Sequence, residues 1–168
     1  GSMDSGKKYI AKAFYFCLAE ILRRHYQDVE IVYVCHDTEA SERTEEEFFK
    51  AGLAGGTTIS AGLEKALEIY NERYAHQEQN VYVWHATDGD NFDADNIKVT
   101  QALEALCEIT ELIGICEIKP SGNSISNISK IEDLQKQYSH FVLTKIFNKK
   151  EIRGALISFL NQRRGLKK

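Results

Sequence analysis

The segment Val81–Thr87, Val-Tyr-Val-Trp-His-Ala-Thr, restricts the fold more than any other part of this chain. It is almost continuously apolar and stops abruptly at Asp88-Gly89-Asp90-Asn91. A strand exposed on one face alternates apolar and polar residues; a continuous apolar run is the pattern of a strand covered on both faces, as in a parallel sheet between helices.

The flanking patterns agree. Apolar residues at Ile10, Phe14, Cys17, Leu18, Ile21 and Leu22 recur at helical spacing and predict a helix over about 8–26. Val29–Cys35 reads as a strand, and 38–54 as a weaker strand followed by a turn around Glu45–Phe49. Ile59, Leu63, Ala66, Leu67 and Tyr70 define an amphipathic helix that Thr57 or Thr58 would cap. Further helices are predicted at about 99–113, 130–138 and from Asn148, with strands at 114–118 and 141–146 and a Ser/Asn/Gly-rich loop over 120–129. Asn148 and Glu151 have the spacing of a capping box. Helices alternating with short buried strands specify an α/β fold with a largely parallel sheet. No internal repeat or second domain is visible, so residues 1–168 are read as one domain ending in a helix and basic tail over 149–168.

Composition sets the outer limits. A chain of 168 residues with 43% hydrophobic and 27% charged residues, one Pro and 11 Gly can build its own core without disulfides or a structural metal. No stretch approaches the roughly 18 uncharged apolar residues of a membrane span, and no secretory leader is seen, so a cytoplasmic protein is expected. Cys17, Cys35, Cys107 and Cys116 form no CxxC and sit in apolar segments, which reads as free buried thiols. Charge is uneven: residues 37–47 hold six carboxylates against Arg43, and 149–168 hold seven bases against Glu151. The one aromatic residue among those bases, Phe159, belongs to the helix's apolar stripe and is not placed to stack on nucleotides, so the tail reads as a helix C-terminus and not a nucleic-acid arm.

In parallel α/β sheets, ligands bind beyond the carboxyl ends of the strands. That rule singles out Gly55-Gly56-Thr57 before a helix and Thr87-Asp88-Gly89-Asp90-Asn91 after the most buried strand. A hydroxyl and a carboxylate are hard ligands suited to Mg²⁺, although a helix cap plus an Asp-Gly turn explains the same residues structurally.

The words Lys7–Phe14, Val29–Ala40, Thr44–Gly52, Gly55-Gly56-Thr57 and Thr87–Asn91, in that order, resemble the YeaH/YhbH family of bacterial stress- and sporulation-associated proteins, which is similar to von Willebrand factor A domains. The resemblance implies a three-layer, Rossmann-like sandwich and a metal-ion-dependent adhesion site built from three loops. Gly1-Ser2-Met3 has the look of a cleaved affinity tag; aligned with the family's Ser-Gly-Ser-Met, it makes Ser2 a metal ligand beside Thr57 and Asp88. His36, Gly56, His85, Asp90 and Asn91 are then candidate partner-contacting or ligand-orienting residues. The leading Asp and Ser of the first loop, and the strand before them, have no counterpart here. The expectation is therefore a sheet lacking its first central strand, the gap filled by another molecule, through dimerisation or strand exchange, or closed by rearrangement. The resemblance further implies a Mg²⁺-bridged protein-binding module and a PrkA-like serine protein kinase as partner, with no membrane or nucleic acid involved.

The competing reading is a Mg²⁺-dependent phosphohydrolase of haloacid-dehalogenase type, with Asp88 as nucleophile and Asp90 as general acid. Phe92, the mid-chain position and the lack of later Lys and paired-Asp words count against it. An EF-hand over Asp88, Asp90, Asp93 and Asp95 fails because the sixth position is Asp93 and the twelfth Val99. A zinc site of His36, His85 and Asp88 is the remaining metal alternative.

Overall fold

The computed structural model describes residues 4–50, 58–120 and 124–162. Helix α1 (Ser5–His25) begins at Asp4, whose carboxylate accepts the Lys7 N–H at 2.8 Å, and it buries Ile10, Ala11, Phe14 and Leu18 along one face. Strands β1 (Tyr33–His36) and β2 (Ala40–Arg43) pair antiparallel, with His36 opposite Ala40. Helix α2 (Glu45–Lys50) follows, then α3 (Ile59–Ile69), which widens into a π-helical turn over Tyr70–Tyr74.

Strand β3 (Tyr82–Thr87), helix α4 (Asn96–Ile109), strand β4 (Leu112–Ile118), helix α5 (Ile131–Gln137) and strand β5 (Phe141–Ile146) lead to helix α6 (Ile152–Leu160). The three strands form a parallel sheet in the order β3-β4-β5, so β4 is central and buried along its whole length. Its side chains alternate between two cores. Ile113 and Ile115 join residues of α3, α4 and α5, whereas Leu112, Cys116 and Ile118 join α1 and α6. Helices thus cover both faces, as the continuous apolar strands require.

The β1–β2 ribbon and the β3-β4-β5 sheet are separate: among the described residues no strand joins β1 to β3. This explains one difference from the sequence reading. The run 29–35 is fully strand-like in composition, but the ladder begins only at Tyr33, where β2 offers a partner. The turn expected at 45–49 is instead helix α2, opened by a capping box in which Thr44 Oγ1 accepts the Glu47 N–H at 3.2 Å and Glu47 accepts the Thr44 N–H at 2.9 Å. The box expected at the last helix is altered. Asn148 Oδ1 accepts the Lys150 N–H at 3.0 Å, but Glu151 reaches back to the Phe147 N–H at 2.7 Å, and the first turn is 3₁₀.

Candidate functional site

The carboxyl ends of β1, β3 and β4 share a rim with the start of α1. Lys7, in the first turn of α1, reaches Asp88 at the tip of β3: Nζ lies 3.0 Å from Oδ2, with side-chain exposures of 9% and 1%. A buried carboxylate this close to an ammonium is stabilised only as a pair, because either charge alone would be desolvated without compensation. The other Asp88 oxygen accepts the Asp90 N–H at 3.3 Å. Gly89 sits at φ 87°, a left-handed conformation that favours glycine, and its N–H donates to Thr87 Oγ1 at 3.1 Å.

The loop after β3 then fastens the start of α3. Of the two expected caps, Thr57 lies outside the described residues and Thr58 makes no side-chain capping bond. The orphan N–H groups are instead satisfied from 32 and 35 residues away: Ile59 N–H donates to Asn91 Oδ1 at 3.1 Å, and Ser60 N–H donates to Asp95 Oδ2 at 3.0 Å. The Ser60 hydroxyl donates to the second Asp95 oxygen at 2.5 Å, and Asn91 Nδ2 donates to Asn96 Oδ1 at 2.9 Å. A helix N-terminus attracts carboxylates and amide oxygens, so this contact locks the 88–95 loop to α3.

His36, the last residue of β1, and His85, two residues before the end of β3, stack with ring centroids 4.8 Å apart. Burial holds the pKa of His85 well below its ordinary value, with the neighbouring His36 adding to the effect, and burial likewise lowers His36. Gly62 of α3 passes directly beneath them; a Cβ there would lie 2.9 Å from His36 Cδ2 and 3.1 Å from His85 Cε1.

Of the residues singled out from sequence, the fold brings Asp88, Asp90, Asn91, His36 and His85 to one end of the strands. Ser2, Gly56 and Thr57 lie outside the described residues. No group of three or more His, Cys, Asp or Glu among the described residues is placed to bind a metal, so His36, His85 and Asp88 do not form a zinc site. Asp88, weighed as a nucleophile, is 1% exposed and has both oxygens engaged.

Sequence reasoning missed three contributors. Lys7 entered the sequence reading only as the first residue of the Lys7–Phe14 word, with no role of its own. Asp95 was considered only as an EF-hand position. Glu117 is wholly buried, accepting from Ser124 Oγ at 2.8 Å and from the Ile125 N–H at 2.5 Å, with Lys145 Nζ at 3.2 Å. Its signal was available: a lone carboxylate inside the apolar run Leu112–Ile118.

These features define an α/β protein with a parallel three-stranded sheet and an acidic, hydrogen-bonded rim at its carboxyl end. Residues 1–163 match the family described as "Protein of unknown function (DUF444)". The chain is 44% identical over 163 residues to a UPF0229 protein of Ruminiclostridium cellulolyticum, covering 96% of this chain and 41% of that protein. It is 35% identical over 162 residues to a UPF0229 protein of Clostridium botulinum strain Alaska E43, again 96% and 41%. A UPF0229 protein of Bacillus cereus strain G9842 is 32% identical over 167 residues, 99% of this chain and 42% of the relative. The chain belongs to the DUF444/UPF0229 family, and it spans about two fifths of the length of these curated relatives. No helix among the described residues is long and apolar enough to cross a membrane.

Proposed function

We propose that this chain is the core of a protein-binding module of von Willebrand A type that grips its partner through a divalent cation at the Asp88 rim. The observation that carries this reading is the fastening of the α3 start to the loop that begins at Asp88, through Asn91 and Asp95. That contact brings the start of α3, the helix that follows Gly55-Gly56-Thr57 in the sequence, against the loop that begins at Asp88.

The donors are of the right kind. Asp88 would supply one hard carboxylate oxygen, the cation taking the place of the Lys7 ammonium on Oδ2, and hydroxyls at Ser2 and Thr57 would supply the others, matching the preference of Mg²⁺ for few carboxylates and retained waters. When bound, the cation offers a coordination position to an acidic side chain of the partner. The chain's own residues do the rest: Lys7 pairs with Asp88 Oδ2 and orients the carboxylate, the Asp90 N–H holds its second oxygen, and Asn91 and Asp95 hold the helix start in place.

The partner suggested by the family resemblance is a PrkA-like serine protein kinase, in the cytoplasm. Capture of that kinase by the full-length protein, with Mg²⁺ or with EDTA, tests the reading. Capture lost both in EDTA and in Asp88→Asn is expected; capture indifferent to both would overturn it.

A further inference from the structure

The ammonium of Lys7 stands on the carboxylate oxygen that a cation at the rim needs. Nζ lies 3.0 Å from Asp88 Oδ2, and the pair is shielded from solvent, Asp88 almost completely. The other oxygen, Oδ1, accepts the Asp90 N–H at 3.3 Å within its own loop. A divalent ion such as Mg²⁺ binds a carboxylate oxygen at about 2.1 Å, closer than an ammonium at hydrogen-bond distance, and two cations on one buried oxygen repel each other strongly. Lys7 and a cation therefore exclude each other on Oδ2.

The two members of the pair are held very differently. Asp88 is fixed: the next residue, Gly89, makes a left-handed turn, and the loop beyond it is bonded to the start of α3 through Asn91 and Asp95. The Lys7 backbone is fixed as well, its N–H donating to Asp4 Oδ1 at 2.8 Å while Ile10, Ala11 and Phe14 anchor α1 in the core. The Lys7 charge is different, because it sits at the end of a flexible four-carbon stem and lacks the rigid two-pronged contact of an arginine. It can swing out while α1 stays in place. Asp4, exposed and three residues earlier on the same helix turn, offers the displaced ammonium another carboxylate.

We propose, on the reading of the Asp88 rim as a cation site, that Lys7 is a tethered competitor for that cation, a plug that keeps Asp88 paired until cation and partner arrive together. With Lys7 seated, the apparent affinity for a cation is reduced by the fraction of molecules in which the ammonium has withdrawn. A partner carboxylate that completes the coordination sphere adds its binding energy to the withdrawn state alone. Cation and partner then strengthen each other's binding by the same factor, and Lys7 is the element that couples them.

Mn²⁺ is titrated into the full-length protein, and the free ion is counted by its EPR signal. Lys7→Met should tighten the Asp88-dependent site at least about tenfold, which corresponds to Lys7 being withdrawn in about a tenth of the molecules or fewer. Lys8→Met removes the same charge from the neighbouring position and should change the affinity by less than about threefold. The wild-type protein supplies a second measurement, which decides the matter if Lys7→Met fails to fold. Brief acylation with acetic anhydride, read by mass spectrometry, should spare Lys7 relative to Lys8 in EDTA and modify it as Mn²⁺ saturates the site. In Asp88→Asn, Lys7 should react equally with and without the ion. Asp88-dependent binding of equal affinity in wild type and Lys7→Met, or Lys7 reactivity indifferent to Mn²⁺ that binds there, overturns the competitor role and leaves the cation site standing. Mn²⁺ binding absent from wild type and Lys7→Met alike, or undiminished in Asp88→Asn, removes the cation site and the competitor with it.

Discussion

The Lys7–Asp88 pair invites the most quantitative prediction. Lys7→Met keeps the aliphatic stem of a side chain that is 9% exposed but removes the charge facing a carboxylate that is 1% exposed. Removing one member of such a pair costs about 3–5 kcal/mol, because the other is left charged and desolvated. Domains of this size are stable by about 5–15 kcal/mol in total, so the loss is readily measured. Asp88→Asn keeps the acceptor for the Asp90 N–H while removing the charge, and should also destabilise. The double variant is the decisive one: with both charges gone it should be more stable than the sum of the single losses implies, by about 2–3 kcal/mol. Urea unfolding followed by Trp84 emission measures all four proteins, since Trp84 stacks on Phe14 at 4.0 Å and meets Phe159 at 4.5 Å. Additive losses, or a Lys7→Met cost below about 1 kcal/mol, would refute the claim that this pair is mutually dependent in a dry rim.

Other outcomes follow from separate features. A Cβ at Gly114 would lie 2.4 Å from Trp84 Cε3 and 2.6 Å from Phe159 Cδ2, so Gly114→Ala should cost about 3 kcal/mol or more and shift Trp84 emission; Gly154→Ala, with nothing within 4 Å on α6, should stabilise by about 0.5–1 kcal/mol in the same assay. Because burial lowers the pKa of His85 in the folded state, the unfolded chain binds the proton first as pH falls. Stability should be level above about pH 7.5 and drop below about pH 6.5, by up to about 1.4 kcal/mol per pH unit for this group, and His85→Gln should flatten that slope in urea unfolding at pH 5.5 and 7.5. Burial pushes the Cys116 thiol up to about 12, and both Cys107 and Cys116 are buried, so thiol reagents should modify Cys17 and Cys35 first, read by mass spectrometry.

The parallel sheet was legible because its strands are β-branched and apolar runs set between helical patterns, and Phe141–Ile146 was located to the residue; the most buried strand, however, is β4 and not the 81–87 run, since β3 lies at the edge of the sheet. Residues 29–32 show where that logic stops: composition can declare a segment strand-like, but a ladder also needs a neighbour, and β1 finds one only from Tyr33 onward. At the rim, Asp88, Asp90 and Asn91 were found from the rule that parallel sheets work at their carboxyl ends. The cap of α3 was not, since Thr58, one of the two expected caps, sits at the N-cap while Asn91 and Asp95 perform the task from a loop distant in sequence. Lys7 was invisible for a similar reason, as its role depends on a residue 81 positions away.

The central claim, a cation held at the Asp88 rim, is tested most directly by locating the ion in solution. Mn²⁺ shares the oxygen-ligand chemistry of Mg²⁺ and broadens nearby amide resonances in NMR spectra. Titrated into the full-length protein, it should broaden residues 88–91 and 58–60 most strongly and the acidic 40–47 stretch less, with the effect abolished by Asp88→Asn. Broadening centred on the 37–47 stretch, or unchanged in Asp88→Asn, would contradict the account.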